Sequence, residues 1–286
     1  MPRPETLQSL IYVDGSDLSE TAQMMDALGF VDGQTTNPSN FVKALKKELG
    51  TEDITFSKEE LLATYKTRVE EISKALPNGS VSVEVYADKD TTAADMITQG
   101  TEMYSWIPNA HIKLPITAAG LEAAEHFVAN GMRVNMTLCF TQEQAAAVFA
   151  ATKGAKRGDV YISPFIGRVN DKGLNGMDIV SNIVRMYKQA DDHVMILAAS
   201  IRDANQLAEA IAVGSDITTS YLKAILEWNE QGMPVNDPST YSHPDLAPIA
   251  YKEIDLSEDW RSYDISHPMT DDGLVRFAQD WNALIA

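Results

Sequence analysis

Eight short apolar runs, each followed by a segment with helical spacing, recur along most of this chain, and that alternation restricts its fold more than any other feature. The runs are expected to be strands. They lie at Leu7–Val13, from Phe30-Val31 toward Gln34, at Val81–Val85, His111–Pro115, Val134–Phe140, Val160–Ile162, Val194–Ala199 and Asp216–Thr219. Helix punctuation fills the intervals. Gly29 closes Leu18–Leu28, Asn37-Pro38 reads as an N-cap with proline at the first helical position, and Thr117 opens a helix that runs to Asn130. Thr141-Gln142-Glu143-Gln144 has the spacing of a capping box, and Asp203 with Gln206 caps the helix after the seventh run. The charged stretch from Asn40 to Leu76 divides near Gly50 into two helices. Further helices are expected at Thr92–Ile107 and Met177–Gln189.

Strands with near-continuous apolar content suit a parallel sheet covered on both faces. Eight of them, each followed by a helix with short links and no break in composition, predict an α/β fold, a single (β/α)8 TIM barrel. The competing doubly wound sheet lacks support, because no G-x-G-x-x-G follows the first strand. Residues 1–233 are assigned to the barrel and 234–286 to a C-terminal extension. The extension begins as a polar, proline-containing wrap. It ends in a helix from Thr270 to Leu284, with Val275, Phe277, Ala278 and Trp281 available to pack on the barrel or on a second subunit.

Charge narrows the partners. A net charge of −18 argues against nucleic acid and anionic membranes, and it means that any anionic ligand must be held by local arginines. No apolar run approaches a membrane span, Met1–Glu5 lacks the apolar core of a signal peptide, and the lone Cys139 fits a reducing compartment; a cytoplasmic protein is expected.

One strand carries an anomaly. Lys113 sits between Ile112 and Leu114, where lysine is rarely buried unless it is paired or working. In a barrel the C-terminal strand ends converge on one face. Those positions hold Asp14, Asn37, Glu84, Lys113, Asn135, Thr137, Ser163, Ser200 and Arg202, with Arg168 in the loop after the sixth strand. Each has an ordinary explanation: Asp14 as a helix cap, Thr137 and Ser163 bonded to their own backbone, Glu84 as a plain partner for Lys113. Together on one rim they point to chemistry. A lysine amine can form a Schiff base with a ketone or aldehyde, two carboxylates allow two separate proton transfers, and arginines near Ser200 suit a phosphate. No His/Cys cluster has metal-ligand spacing, so a metal-dependent aldol reaction is disfavoured.

Thr35-Thr36-Asn37-Pro38-Ser39, Glu84, Ile112-Lys113-Leu114, Asn135-Met136-Thr137-Leu138, Ser163-Pro164-Phe165-Ile166-Gly167-Arg168 and Ala199-Ser200-Ile201-Arg202 resemble, in order and one per strand, the motif series of the transaldolase family. The resemblance spans roughly Leu10 to Leu226. It implies a cofactor-free enzyme of the pentose phosphate pathway that acts on sugar phosphates, with a homo-oligomeric assembly expected. It further implies that Lys113 is the Schiff-base lysine and that Glu84 activates the water which makes and breaks the imine. Asp14 would take the C4 hydroxyl proton, and Thr137 would position the water. Asn37, Asn135 and Ser163 would hold the dihydroxyacetone hydroxyls, beside Phe165, while Arg168, Ser200 and Arg202 grip the phosphate. The sister fructose-6-phosphate aldolases resemble this chain less at two positions, carrying Gln and Tyr where Glu84 and Phe165 stand. Departures from the larger transaldolases include Ala118-Ala119 after the lysine strand, Gly15 after Asp14 and a shorter chain. The alternatives are an aldolase releasing free dihydroxyacetone and a non-catalytic sugar-phosphate-binding protein.

Overall fold

The barrel closes. A computed structural model describes residues 3–286, which leaves the first two residues of the Met1–Glu5 segment outside it. Eight parallel strands pair in sequence order, β1 with β2 and onward until β8 returns to β1. They are β1 (Leu10–Asp14), β2 (Gly33–Thr35), β3 (Ser80–Glu84), β4 (Ala110–Pro115), β5 (Val134–Cys139), β6 (Val160–Pro164), β7 (Val194–Ile201) and β8 (Ile217–Ser220). Around them lie α1 (Leu18–Leu28), α2 (Pro38–Leu49), α3 (Lys58–Ala75), α4 (Ala93–Tyr104), α5 (Ala118–Ala129), α6 (Gln142–Ala151), a short α7 (Ile166–Asn170), α8 (Gly176–Tyr187), α9 (Ala204–Ala212) and α10 (Leu222–Glu230). The large side chains sealed between sheet and helices include Phe41, Phe127 and Trp228; each contributes roughly 1.5–3 kcal/mol by burial.

Several helix ends form as the residue types predict. The Asn37 side chain accepts the Asn40 N–H with Pro38 following, and Gly29 ends α1 in the left-handed region at φ 79°. Other readings give way. Asp14 does not cap α1; Asp17 does, accepting from the Ser19 N–H, which leaves Asp14 free to face the barrel top. The Thr141 box is only half formed. Thr141 takes the Gln144 N–H, but the Gln144 amide oxygen accepts from Phe140 N–H and its nitrogen donates to Ile265 O and Thr270, because the C-terminal extension offers it buried partners. Arg168 lies on α7 rather than in a loop.

Beyond α10 the chain runs along α8 and α6, where Asn182 donates to Ile249 O and Lys252 N–H to Gln142 Oε1. It then returns as α11 (Pro268–Asn282) over the C-terminal end of the barrel. Thr270 Oγ1 donates to Leu138 O at 3.0 Å, Ser39 bonds Asp280, and Phe56 N–H bonds Leu284 O at 2.7 Å. The buried stripe of α11 is Thr270, Gly273, Leu274, Phe277 and Ala278; Val275, expected on the apolar face, falls off that helical spacing and is 46% exposed. Gly273 lets α11 sit close, since a Cβ there would lie 2.6 Å from Leu138 and 2.8 Å from the Arg168 guanidinium, and both side chains would have to shift. No described helix is long and apolar enough to cross a membrane.

Candidate active site

Register makes the centre of the site. Glu84 on β3 pairs with Lys113 on β4, and Lys113 pairs with Asn135 on β5, so three polar side chains stand side by side at one level. Lys113 is 4% exposed; its Nζ lies 2.9 Å from Glu84 Oε2 and donates to Thr36 O at 3.0 Å. Burial pushes the Glu84 carboxyl above its ordinary range, with the Lys113 charge pulling the other way.

Lys113 opens onto a cavity of about 140 Å³ at the C-terminal end of the strands, where Asp14, Asn37, Thr137, Ser163, Phe165, Arg168, Ser200 and Arg202 also meet. Asp14 accepts from Thr35 at 3.1 Å and from the Asn40 amide at 3.0 Å. Its carboxyl is likewise raised, first by burial and against the pull of Lys113. Thr137 Oγ1 is buried without a partner among the described residues, so it can bind a water or a substrate atom. Two residues stand back from this cavity. Asn135 does not line it, its amide donating to Ser82 at 3.0 Å and accepting from Ser163 at 2.7 Å. Glu84 lies on the far side of Lys113.

The mouth is cationic. Arg168 sits between the rings of Phe165 and Phe277, at 5.0 and 5.4 Å from their centroids. Burial, with the charge of Arg276 added, lowers its pKa, so this guanidinium gains from an arriving anion. Arg202 pairs with Asp171 at 2.8 Å. Ser200 occupies the left-handed region at φ 57°, where the β7–β8 register shifts; the strain, of order 1–3 kcal/mol, turns the chain so that Ser200 and Arg202 both reach the cavity. The glycine of the Ser163–Arg168 motif is explained by the same packing, because a Cβ on Gly167 would run into Ser200 O and the Arg202 guanidinium.

Thr35, Asn40, Thr219, Tyr221, Arg276 and Phe277 also line the cavity and were not picked out by sequence. Thr35 lies inside a noticed motif, and Asn40 is one helical turn past Asn37, so both were within reach. Arg276 and Phe277 come from α11 and carry no local signal. The histidines lie outside the cavity; His267 caps α11 by accepting from Met269 N–H, and His243 bonds Glu209. Among the described residues no group of three or more His, Cys, Asp or Glu could hold a metal ion.

Comparison with known proteins places the chain as a whole. The chain is 30% identical over 274 residues to a probable transaldolase of Dehalococcoides mccartyi, covering 96% of this chain and 98% of that protein. It is 33% identical over 276 residues to a probable transaldolase of a Roseiflexus species, covering 96% and 97%. A probable transaldolase of Brucella ovis is 33% identical over 94% of this chain and 95% of its own length. With residues 11–286 matching the model of the transaldolase/fructose-6-phosphate aldolase family, this (β/α)8 barrel belongs to that family.

Proposed function

We propose that this protein is a transaldolase of the cytoplasmic pentose phosphate pathway. It moves a dihydroxyacetone unit from a ketose phosphate, sedoheptulose 7-phosphate or fructose 6-phosphate, to an aldose phosphate. The observation that carries the reading is the buried Lys113–Glu84 pair at 2.9 Å, with the amine facing a cavity whose mouth is ringed by guanidinium groups.

The steps follow from these positions. Proton transfer from the ammonium to Glu84 leaves a neutral amine, which attacks C2 of the ketose. Glu84 returns the proton to the C2 hydroxyl, water departs, and an iminium remains on Lys113. Asp14, across the cavity and held by Thr35 and Asn40, takes the C4 hydroxyl proton as the C3–C4 bond breaks and the electron pair moves into the iminium. The enamine then adds to the incoming aldose phosphate, with Asp14 returning its proton to the new hydroxyl, and hydrolysis frees the product. Thr137, with its unpartnered hydroxyl, positions the water. Asn37 and Ser163 hold the donor hydroxyls, and Asn135 sets the Ser163 orientation through its 2.7 Å bond while contributing to the same network. Arg168, Ser200 and Arg202 take the phosphate.

Transfer is favoured over release of free dihydroxyacetone by Phe165, an apolar ring against Arg168 that offers no proton to the enamine. Borohydride reduction in the presence of fructose 6-phosphate, followed by peptide mapping, should label Lys113. Label on a different lysine sinks the mechanism. A second measurement separates transferase from aldolase: cleavage of fructose 6-phosphate should require an acceptor such as erythrose 4-phosphate, and equal rates without one would establish the aldolase instead.

A further inference from the structure

Glu84 and Lys113 touch, yet they face different spaces. Lys113 lines the cavity described above and Glu84 does not; Glu84 instead borders a second cavity of about 450 Å³ between α3, α4 and the end of α11. This rear cavity runs from exposed Lys58 and Asn282 at its rim to buried Met103, Tyr65 and Glu84 at its floor. The Glu84 carboxylate is divided accordingly. Oε2 is sealed from solvent in the ion pair with Lys113, Oε1 is not sealed, and among the described residues no further hydrogen bond holds either oxygen.

The floor is fixed in place. Tyr65 accepts the Glu84 N–H at 3.1 Å and bonds Thr36 Oγ1 at 2.8 Å, and the Thr36 carbonyl in turn receives Lys113 Nζ. Trp281 stands edge-on to Tyr65 with centroids 5.6 Å apart. One helix therefore separates the two spaces: α11 sends Arg276 and Phe277 into the front cavity, and Trp281 and Asn282 into the rear one.

The proposed chemistry needs such a division. Forming the imine converts the C2 oxygen and two protons into one water; hydrolysis adds one water back to C2 and returns the amine. A sugar phosphate lodged between Lys113 and the guanidinium mouth stands in the way of water using that route. The rear cavity has polar groups at its rim and room for several waters. We propose that it is a water port, through which the water released or consumed at C2 passes along Glu84 without crossing the sugar site. This rests on the Schiff-base reading of Lys113.

Exchange of the C2 oxygen of heavy-oxygen-labelled fructose 6-phosphate with solvent, without acceptor, tests it. The wild type should exchange. Leu62→Trp, which fills the port from a half-buried wall, should slow exchange at least tenfold, because the released water is trapped and returns to C2. Its inhibition constant for inorganic phosphate at the front mouth should stay within twofold of wild type. Leu62→Ala should exchange at the wild-type rate or faster. Ile285→Trp fills the port from a second lining position outside α3 and decides the matter should Leu62→Trp lose phosphate binding through misfolding. A filled variant that keeps phosphate binding and exchanges at the wild-type rate overturns the port alone; a wild type that exchanges no label overturns both the port and the Schiff base.

Discussion

His111 and Lys113 lie two residues apart on β4, both within the barrel and both buried, and their surroundings differ completely. His111 Nε2 donates to Gly158 O at 2.8 Å, Nδ1 accepts from Ser80 at 2.7 Å, and the ring lies flat on Tyr161 with centroids 4.0 Å apart. Nearby, the Tyr12 and Tyr161 hydroxyls bond each other at 3.2 Å. Every polar atom of that imidazole is matched, and burial pushes its pKa down to about 3. One step up the barrel, Lys113 shares a cavity with the unpartnered hydroxyl of Thr137, the raised carboxyl of Asp14 and the crowded Arg168. A buried polar group is therefore not itself a sign of function. What separates the two levels is whether the hydrogen-bonding capacity is used up within the protein or left facing a space that a ligand can enter.

That contrast can be broken most directly at its two poles. Lys113→Ala should lower transaldolase turnover by a factor on the order of 10³ or more, the scale of losing a covalent nucleophile, while the protein stays folded. A Lys113→Ala enzyme that still turns over removes the upper level from the mechanism. At the mouth, Arg168→Ala and Arg202→Ala should each raise KM for fructose 6-phosphate by an amount worth about 1.5–3 kcal/mol, since a charged hydrogen-bonding partner is lost. Arg276→Ala, exposed on α11, should cost less. Unchanged KM in all three would assign these guanidinium groups to packing.

The lower level should respond in the opposite sense. His111→Leu leaves Ser80 and Gly158 O unmatched and should cost on the order of 1–3 kcal/mol of unfolding free energy, with kcat per folded molecule unchanged. The pH dependence has a definite sign. His111 is neutral in the folded state down to pH about 3, whereas an unfolded histidine takes a proton near 6.5, so its stabilising contribution is present above 6.5 and fades as pH falls from there toward 3. Denaturant midpoints measured across that range should fall with acidification in the wild type and less steeply in His111→Leu. Parallel curves would show that His111 is not the group responsible.

The smallest change sharpens the comparison within the active site. Phe165→Tyr would place a hydroxyl beside the proposed enamine, and about 1.4 kcal/mol between protonation and transfer already shifts the partition tenfold. Free dihydroxyacetone released from fructose 6-phosphate without acceptor should rise, and transfer to erythrose 4-phosphate should not rise with it. An unaltered ratio would deny Phe165 any part in the choice.

Much of this was legible in residue order, because the relevant rules are local. Strand ends, caps and the alternation of apolar runs depend on neighbours within a few residues, and strands that pair in sequence order put their C-terminal residues on one rim. Hence residue order alone groups Asp14, Asn37, Lys113, Thr137, Ser163, Arg168, Ser200 and Arg202, and the structure brings them to one cavity. Some of the expectations that changed were lost locally, as when Asp17 rather than Asp14 caps α1; others turn on where distant chain comes to rest. Gln144 abandons its capping box for Phe140, Ile265 and Thr270, and Val275 turns to solvent once α11 is seated. Only packing decided that α11, more than 100 residues beyond Lys113, would deliver Arg276 and Phe277 to one cavity and Trp281 to another. That seat depends on close approaches at Gly273, and the mouth on those at Gly167, which no periodicity encodes. Likewise, local pattern placed Glu84 beside Lys113, but which face of the carboxylate meets the amine and which meets the second cavity follows from where α3, α4 and α11 come to rest around it.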